Sequence, residues 1–364
     1  MARLDPNEVK VGVGMGSTWD TARDLTASNI GKLLHASQFG PSGGFGEFVR
    51  PDIGADNYET TSDRQELNLT VNMASTMTYD GIWMQLFAAL MGTTTASPAE
   101  TTASQGDYGH NIDLASKLDS RYICAAQLIE DDYVAEYPSI KMVSGRLEGG
   151  PNRPGTFTGS GIASRILFTP DTPTNTAAEV TALTDLTYNP ASLGGTNHYL
   201  RINAQAGGSL SSTNDIPILS WFIDIQRPMN PRFALRGANT AYTKEPIQNG
   251  PTVVGFGFQL DEATDSTIDA LSAWKAGTEY KAELFMDGLV IGTTVNRSIK
   301  FQFPRLKPVV GLPDGYGVNG ATGDRFPTLT YKALKPTAAP TGMTGVTTPL
   351  RAALIHTRVQ SFFN

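Results

Sequence analysis

The chain has 364 residues, a formal net charge of −7 and one cysteine, and only 17% of its residues are charged. Small polar residues, 37 glycines and 22 prolines take the place of charged residues, a composition typical of strands and turns. The acidic balance argues against a sequence-reading nucleic-acid binder, and one cysteine excludes an intramolecular disulfide framework or a multi-cysteine metal site.

The N-terminal residues 1–8 contain no apolar signal core, and no run of about 18 apolar residues predicts a membrane-spanning helix. We therefore expect a soluble protein of a reducing compartment with no membrane partner. The length suits one large β domain or two ordinary domains.

The first 60 or so residues are rich in turn signals and predict an arm with only a weak helix candidate. Residues 41–46 and 51–54, both containing proline and glycine, break any regular period. Regular structure is predicted to begin at residues 66–73, where apolar and polar residues alternate as in a half-buried strand.

Residues 79–91 are apolar nearly all round and predict a short helix that ends at Gly92, with Thr78 or Asp80 as its N-cap. Three of its apolar residues share one face at helical spacing: Trp83, Phe87 and Leu90. The pattern predicts a core helix on a sheet. It also suits a helix that covers the sheet of a neighbouring subunit.

The rest of the first half predicts a polar loop, three strands and a proline-bearing linker. The loop spans residues 93–120, and the linker spans residues 169–184. The predicted strands are residues 122–129, 139–148 and 155–168.

The second half repeats this pattern of strand, short tryptophan-bearing helix and further strands. Its predicted strands are residues 216–225, 253–260, 279–286, 298–303, 328–334 and 350–362. A helix is predicted over residues 261–274, capped by Thr264 or Asp265, and Asp287-Gly288 is a hairpin turn signal. The packing residues predicted for this helix are Ile268, Leu271 and Trp274.

These patterns predict a mainly β protein with tandem β-sandwich or barrel units, each flanked by one short α-helix. We place a first β domain with an N-terminal arm at residues 1–170 and a second at residues 171–310. A C-terminal extension follows at residues 311–364, and its Phe362-Phe363 pair is expected to dock on the body of the protein.

Candidate chemistry is weak throughout the sequence, and we predict no enzyme, no cofactor and no metal site. The glycine-rich residues 12–18 lack the lysine of a phosphate loop and the third glycine of a dinucleotide fingerprint. The four histidines are isolated in sequence, and Cys124 lies among apolar neighbours. The acidic run at residues 130–132 is most often a solvated turn, with a cation site as the alternative.

Two stretches resemble the tail tube (major tail) proteins of long-tailed bacteriophages. One is residues 59–92, which combine a polar segment, an alternating strand and the helix that ends at Gly92. The other is residues 14–25, which resemble that family's N-terminal segment. The strands after the helix, residues 122–131, 137–148 and 155–168, fit the same pattern, and residues 216–304 fit it more loosely.

The resemblance implies a structural subunit whose copies close their inner sheets into one barrel and stack as rings. If both halves are tube domains, three chains supply six domains, which predicts a trimeric ring with pseudo-sixfold symmetry; a hexamer is the alternative. Tape-measure, tail-tip and terminator proteins are the implied partners, and the implied location is the virion tail, made in the host cytoplasm. We expect a lumen poor in lysine and arginine, through which DNA passes without specific binding.

The sequence is also compatible with two other functional hypotheses. One is a different virion structural protein, such as a decoration or baseplate component. The other is a β-sandwich carbohydrate-binding or hydrolytic protein, for which Trp221 beside Phe222 is the one aromatic pair that suggests a sugar platform.

Overall fold

A computed structural model shows a mainly β protein with a few short helices, as the composition predicts. No helix in the described ranges is long and apolar enough to cross a lipid bilayer. The structure describes residues 10–27, 31–34, 36–49, 62–95, 98–129, 132–151, 153–168, 172–184, 198–233, 243–261, 274–309, 328–359 and 361–363.

One set of strands surrounds the first helix and forms what we call the first repeat. Its helix is α1 (Trp83–Met91). Its strands are β1 (Lys10–Gly16), β2 (Lys32–Leu33), β3 (Ala36–Val49), β4 (Ser62–Thr76), β8 (Tyr122–Ile129), β9 (Tyr133–Gly150) and β10 (Arg153–Ala163). Every ladder is antiparallel, and the strand order is β3-β4-β10-β9-β8-β1.

The second repeat has the same order in its own strands, β14-β17-β20-β19-β18-β12, again with antiparallel ladders. Its strands are β12 (Tyr199–Ala204), β13 (Asp215–Ile216), β14 (Ile218–Gln226), β17 (Val253–Leu260), β18 (Tyr280–Ile291), β19 (Val295–Pro308) and β20 (Thr328–Ala333). The two repeats therefore share one topology although their sequences differ.

Each repeat closes on itself through a two-residue strand. β2 immediately precedes β3 and pairs with β1, and β13 immediately precedes β14 and pairs with β12. In each case the first and last strands of the six-strand order are joined, so both repeats are small closed barrels, in which closure removes exposed sheet edges.

The remaining elements link the repeats or extend them. They are β5 (Gly92–Thr94), β6 (Ala99–Glu100), β7 (Tyr108–Leu114), β11 (Leu167–Phe168), α2 (Ala177–Ala182), β15 (Met229–Phe233), β16 (Thr243–Gln248) and β21 (Arg351–His356). β7 pairs with β21, and β21 pairs with β19, so the C-terminal extension joins a first-repeat insertion to the second repeat. β15 and β16 form a hairpin that continues β14 and β17.

The two repeats share one apolar core across the predicted boundary near residue 170. Phe87 of α1 packs edge-on against Phe301 of β19, and Trp221 of β14 lies 6.2 Å from the same ring. The largest buried cluster contains residues of both repeats and of β21. Burying aromatic side chains of this size is the main apolar contribution to holding the repeats together.

The predicted helix near residue 83 is confirmed, including its end at Gly92, which has a φ of 95°. The prediction that Thr78 or Asp80 caps it is wrong, because Ile82 precedes the helix without a side-chain cap bond. The Asp80 carboxylate instead accepts from Arg297 Nε at 2.6 Å, and the Thr78 carbonyl accepts from Trp83 Nε1 at 2.7 Å.

Three segments predicted as irregular contain regular structure. The N-terminal arm contains β1 and β3, and the predicted loop at residues 93–120 contains β7. Pro41 and several glycines lie within β3, which is tolerated because β3 pairs on one side only among the described strands. The predicted linker contains α2, whose capping box joins Thr176 and Glu179, while Asn175 is buried beside Glu136.

The prediction of a hairpin turn at Asp287-Gly288 is also wrong, because β18 continues to Ile291. A β-bulge occupies this place, and the ring of Tyr79 packs so closely on Gly288 that a Cβ there would lie 2.7 Å from it. The Tyr79 hydroxyl donates to the Asp287 carbonyl at 2.6 Å. A tertiary contact therefore decides the conformation of this dipeptide.

The C-terminal residues dock as predicted, on a pair of histidines that looked isolated in the sequence. His110 of β7 and His356 of β21 stack with ring centres 4.4 Å apart, and Phe362 packs on both rings. His110 Nε2 donates to the Arg358 carbonyl at 2.8 Å, and His356 Nδ1 accepts from the Arg358 amide at 3.0 Å. Burial holds the pKa of both histidines below the usual range, and at His356 the neighbouring His110, Arg358 and Arg297 lower the pKa further.

This pair predicts a loss of stability in mild acid. A lowered folded-state pKa means that the unfolded chain binds protons first as the pH falls below about 6.5, so the free energy of unfolding is highest above that value and decreases below it. Denaturant unfolding between pH 7.5 and pH 5 measures the slope. His356→Asn keeps an acceptor for the Arg358 amide and removes one titrating ring, so its profile should be flatter; an equally steep profile would contradict the assignment.

Candidate assembly surfaces

The two barrels share one continuous sheet, which we call the long sheet, with the order β3-β4-β10-β9-β14-β17-β20-β19. Four strands come from each repeat. Side chains alternate along every strand, so one face packs on the core and the other, which we call the outer face, is directed away from it.

The outer face is lined mainly by hydroxyl and amide side chains. A depression of about 400 Å³ on it contains no aromatic side chain among its lining residues. Representative side chains from β3, β4, β9, β10 and β14 are Gln38, Asn72, Ser144, Thr158, Ser160 and Gln226. A surface of this kind offers hydrogen bonds without a strong field of either sign.

Charges on the described outer face nearly balance. Arg146 Nε lies 2.8 Å from Glu148 and its Nη1 lies 3.1 Å from Asp224, so this guanidinium is paired with two carboxylates. Arg305 of β19 is likewise paired with Glu279, and Lys307 and Lys332 lie opposite each other on β19 and β20. No continuous basic stripe crosses this part of the sheet.

The aromatic pair considered as a sugar platform is split between the two faces. Trp221 is buried, with its ring against Gly149, where a Cβ would approach to within 2.9 Å. Phe222 lies on the outer face over Gly257, and the Arg146 guanidinium sits 4.5 Å above its ring. The two rings therefore do not form a joint stacking surface.

The repeats meet where β9 pairs with β14, which we call the repeat junction. Six residue pairs form it, from Trp221 opposite Gly149 to Gln226 opposite Ser144. The Arg227 amide extends the junction by donating to the Val143 carbonyl at 2.7 Å. The two barrels are therefore fused edge to edge by main-chain hydrogen bonds.

The Arg227 side chain fastens this junction to α1. It is 1% exposed, and it donates to the carbonyls of Leu90 at 2.7 Å, Met91 at 2.8 Å and Ala115 at 2.9 Å. The first two carbonyls are at the C-terminal end of α1, where the helix dipole favours a cation. Burial lowers the pKa of Arg227 to about 10, so it stays protonated at neutral pH.

β3 is the first-repeat counterpart of β14, and it differs in one respect. In the part of the chain that the structure describes, β3 pairs with β4 alone, whereas β14 pairs with β17 and also with β9. β3 is 14 residues long. A long edge strand with unpaired main-chain groups is a ready template for pairing with another chain.

The hairpin β15–β16 crosses from the second repeat to the first. Glu245 of β16 binds Lys141 of β9 at 2.5 Å, and Lys141 Nζ also donates to the Pro246 carbonyl at 3.2 Å. Burial and then the bond to Glu245 raise the pKa of the nearby Tyr122 hydroxyl. A buried lysine is thus paired by a carboxylate from the other repeat.

The structure describes four of the six residues that we predicted to pack on helices. Trp83, Phe87 and Leu90 are buried within the chain, as are the other six residues of α1, so no side of this helix is left to cover a neighbouring subunit. Ile268 and Leu271 lie outside the described residues. Trp274 is half buried, and its Nε1 donates to the Val309 carbonyl at 3.1 Å.

Side chains that the sequence offered for chemistry are placed apart or are inaccessible. Burial raises the pKa of Cys124 to about 12, and His198 Nδ1 accepts from the Asp287 amide at 3.2 Å. His35 and the acidic residues 130 and 131 lie outside the described residues. Among the residues that the structure does describe, no three His, Cys, Asp or Glu side chains converge as metal ligands.

Comparison with known proteins does not place the chain in a family. No family model matches it, and no curated protein matches it. The function must therefore be argued from the repeats, their junction and the outer face.

The Arg227 contacts predict a large effect on stability. Arg227→Met removes three donors and leaves buried carbonyls unsatisfied, so we expect the free energy of unfolding to fall by about 3 kcal/mol or more. Arg305→Met is the control, because the Arg305 guanidinium also makes short hydrogen bonds, two of them to Glu279, but its side chain is 31% exposed. Denaturant unfolding should show a loss of about 1 kcal/mol or less for this control, and equal losses would refute the role given to Arg227.

Proposed function

We propose that this protein is a tail tube subunit of a long-tailed bacteriophage, assembling into stacked rings whose channel delivers the genome. One observation carries the proposal: two barrels with the same strand order are fused through β9 and β14, while β3, the first-repeat counterpart of β14, has an edge that no described strand pairs with. Repeating the same junction between copies continues the long sheet from one chain to the next.

Ring size follows from the number of strands in the long sheet. Each chain contributes eight strands, so three chains contribute 24 strands and six barrels. At about 4.8 Å between strands and a tilt near 40°, a closed sheet of this size is on the order of 50 Å across. Side chains reduce the opening to roughly 40 Å, which admits a DNA double helix. A trimer with pseudo-sixfold symmetry is therefore preferred to a hexamer.

In this arrangement the outer face of the long sheet lines the channel. DNA is held by phosphate contacts to lysine and arginine, and each such contact strengthens binding. A face of hydroxyls and amides, on which Arg146 is already paired with two carboxylates, supports passage without retention. Tape-measure, tail-tip and terminator proteins are the proposed partners of the assembled tube in the virion tail.

Mass photometry at increasing protein concentration, with negative-stain electron microscopy, tests assembly directly. We expect open-centred rings or tubes whose unit has the mass of three 39.0 kDa chains. A unit of six chains would replace the trimer by a hexamer and keep the function. A chain that stays monomeric and does not add to tail-tip seeds would contradict the proposal.

Lysines introduced on the outer face should make the channel bind DNA that would otherwise pass through it. Thr158→Lys with Ser160→Lys adds cations beside the Arg146 pair, so assembled tubes should retain duplex DNA that is protected from nuclease. The retention should weaken with salt, at a slope of about 0.9 per phosphate contacted. Ala178→Lys with Thr181→Lys, on the exposed side of α2, is the control with equal charge and should give no protection. Protection by wild-type tubes, or by both variants, would contradict the assignment of the channel face.

A further inference from the structure

Two lysines stand opposite each other at the end of the long sheet. Lys307 of β19 pairs in register with Lys332 of β20, and both are exposed. Like charges directly opposite each other destabilise a sheet. Lys307 acts electrostatically on Glu279, but Arg305 already binds this carboxylate at 2.7 and 2.8 Å. Neither lysine makes an ion pair within the described ranges.

The position of Lys307 has a counterpart in the first repeat. Leu306 pairs with Tyr280 of β18 and with Ala333 of β20. Ile140 makes the equivalent two pairings, with Ile123 of β8 and Ala163 of β10. The residue that follows is Lys307 in one repeat and Lys141 in the other.

These two equivalent lysines have opposite environments. The Lys141 side chain is 4% exposed, because the hairpin β15–β16 covers it and supplies the Glu245 carboxylate. Lys307 is exposed. The hairpin equivalent to β15–β16 belongs to the first repeat, where β3 and β4 continue outward as one long pair of strands.

The segment that joins β3 to β4 is acidic, as a partner of an exposed lysine pair should be. Residues 47–66 contain six acidic residues and two arginines, a net charge of −4. Residues 229–248, which span the second-repeat hairpin, contain three basic residues and one acidic residue, a net charge of +2. The acidic hairpin is therefore the one that is complementary to an exposed lysine pair.

We propose that Lys307 and Lys332 form a docking surface for the acidic β3–β4 hairpin of a second copy of this chain. The contact between copies reproduces, with stronger charge complementarity, the contact that Lys141 and Glu245 make within one chain. This proposal rests on the proposed function, since it names the surface through which neighbouring subunits of a ring recognise each other.

Charge reversal tests the surface. Lys307→Glu with Lys332→Glu should raise the protein concentration needed for half-assembly about tenfold or more, whereas Lys10→Glu with Lys117→Glu, an equal charge change at exposed positions, should not. Wild-type assembly should also weaken as salt screens the pairs. Combining Glu59→Lys and Glu66→Lys with Lys307→Glu and Lys332→Glu in the same chain should restore assembly, because every contact in the ring then again joins opposite charges.

Zero-length carbodiimide cross-linking of a mixture of 15N-labelled and unlabelled protein gives a second readout. We expect amide links between Lys307 or Lys332 of one isotopic form and a carboxylate of residues 47–66 of the other. If wild-type rings form but reversal leaves assembly unchanged and no such link is found, this surface is wrong and the proposed function stands. If wild-type protein neither assembles nor cross-links, both are wrong.

Discussion

The guanidinium of Arg227 is the contact on which the arrangement of the two barrels depends. It lies at the end of β14, where its amide continues the repeat junction and its side chain binds the buried carbonyls at the C-terminal end of α1. A charge is costly to bury, and this one is tolerated because three carbonyls and the helix dipole receive it. The same residue thus aligns the long sheet with the helix beneath it.

The repeat junction and the two barrel closures together account for most of the sheet edges of this strand-rich chain. Each barrel closes through a two-residue strand, which removes most sheet edges. Among the described strands, the long sheet still leaves one edge of β3 unpaired, and the exposed Lys307 and Lys332 lie at the other end of the same sheet. The proposed assembly uses both features, because one offers main-chain hydrogen bonds and the other offers charge to a second copy.

The local sequence pattern predicted strands correctly where the spacing of apolar residues matches the faces that the fold buries. Residues 66–73, 122–129 and 253–260 alternate or are continuously apolar, and each lies within a strand. The local pattern gave wrong predictions where a contact with a residue distant in sequence decides the backbone conformation. β3 contains Pro41 and Gly43 and forms a strand because β4 pairs with it, and Asp287-Gly288 stays in β18 because Tyr79 packs there. Asp80, expected to cap α1, is instead engaged by Arg297.

The sequence by itself determined the fold class and the buried helix that ends at Gly92, because these depend on short-range periodicity and on turn residues. Only the tertiary structure decided that the halves have one strand order, that β9 and β14 join them, and that His110 meets His356. Only it placed Lys141 under Glu245 and left Lys307 exposed. Pairing between strands far apart in the chain determines which of these side chains come into contact. A single sequence carries no local signal of which strands will pair.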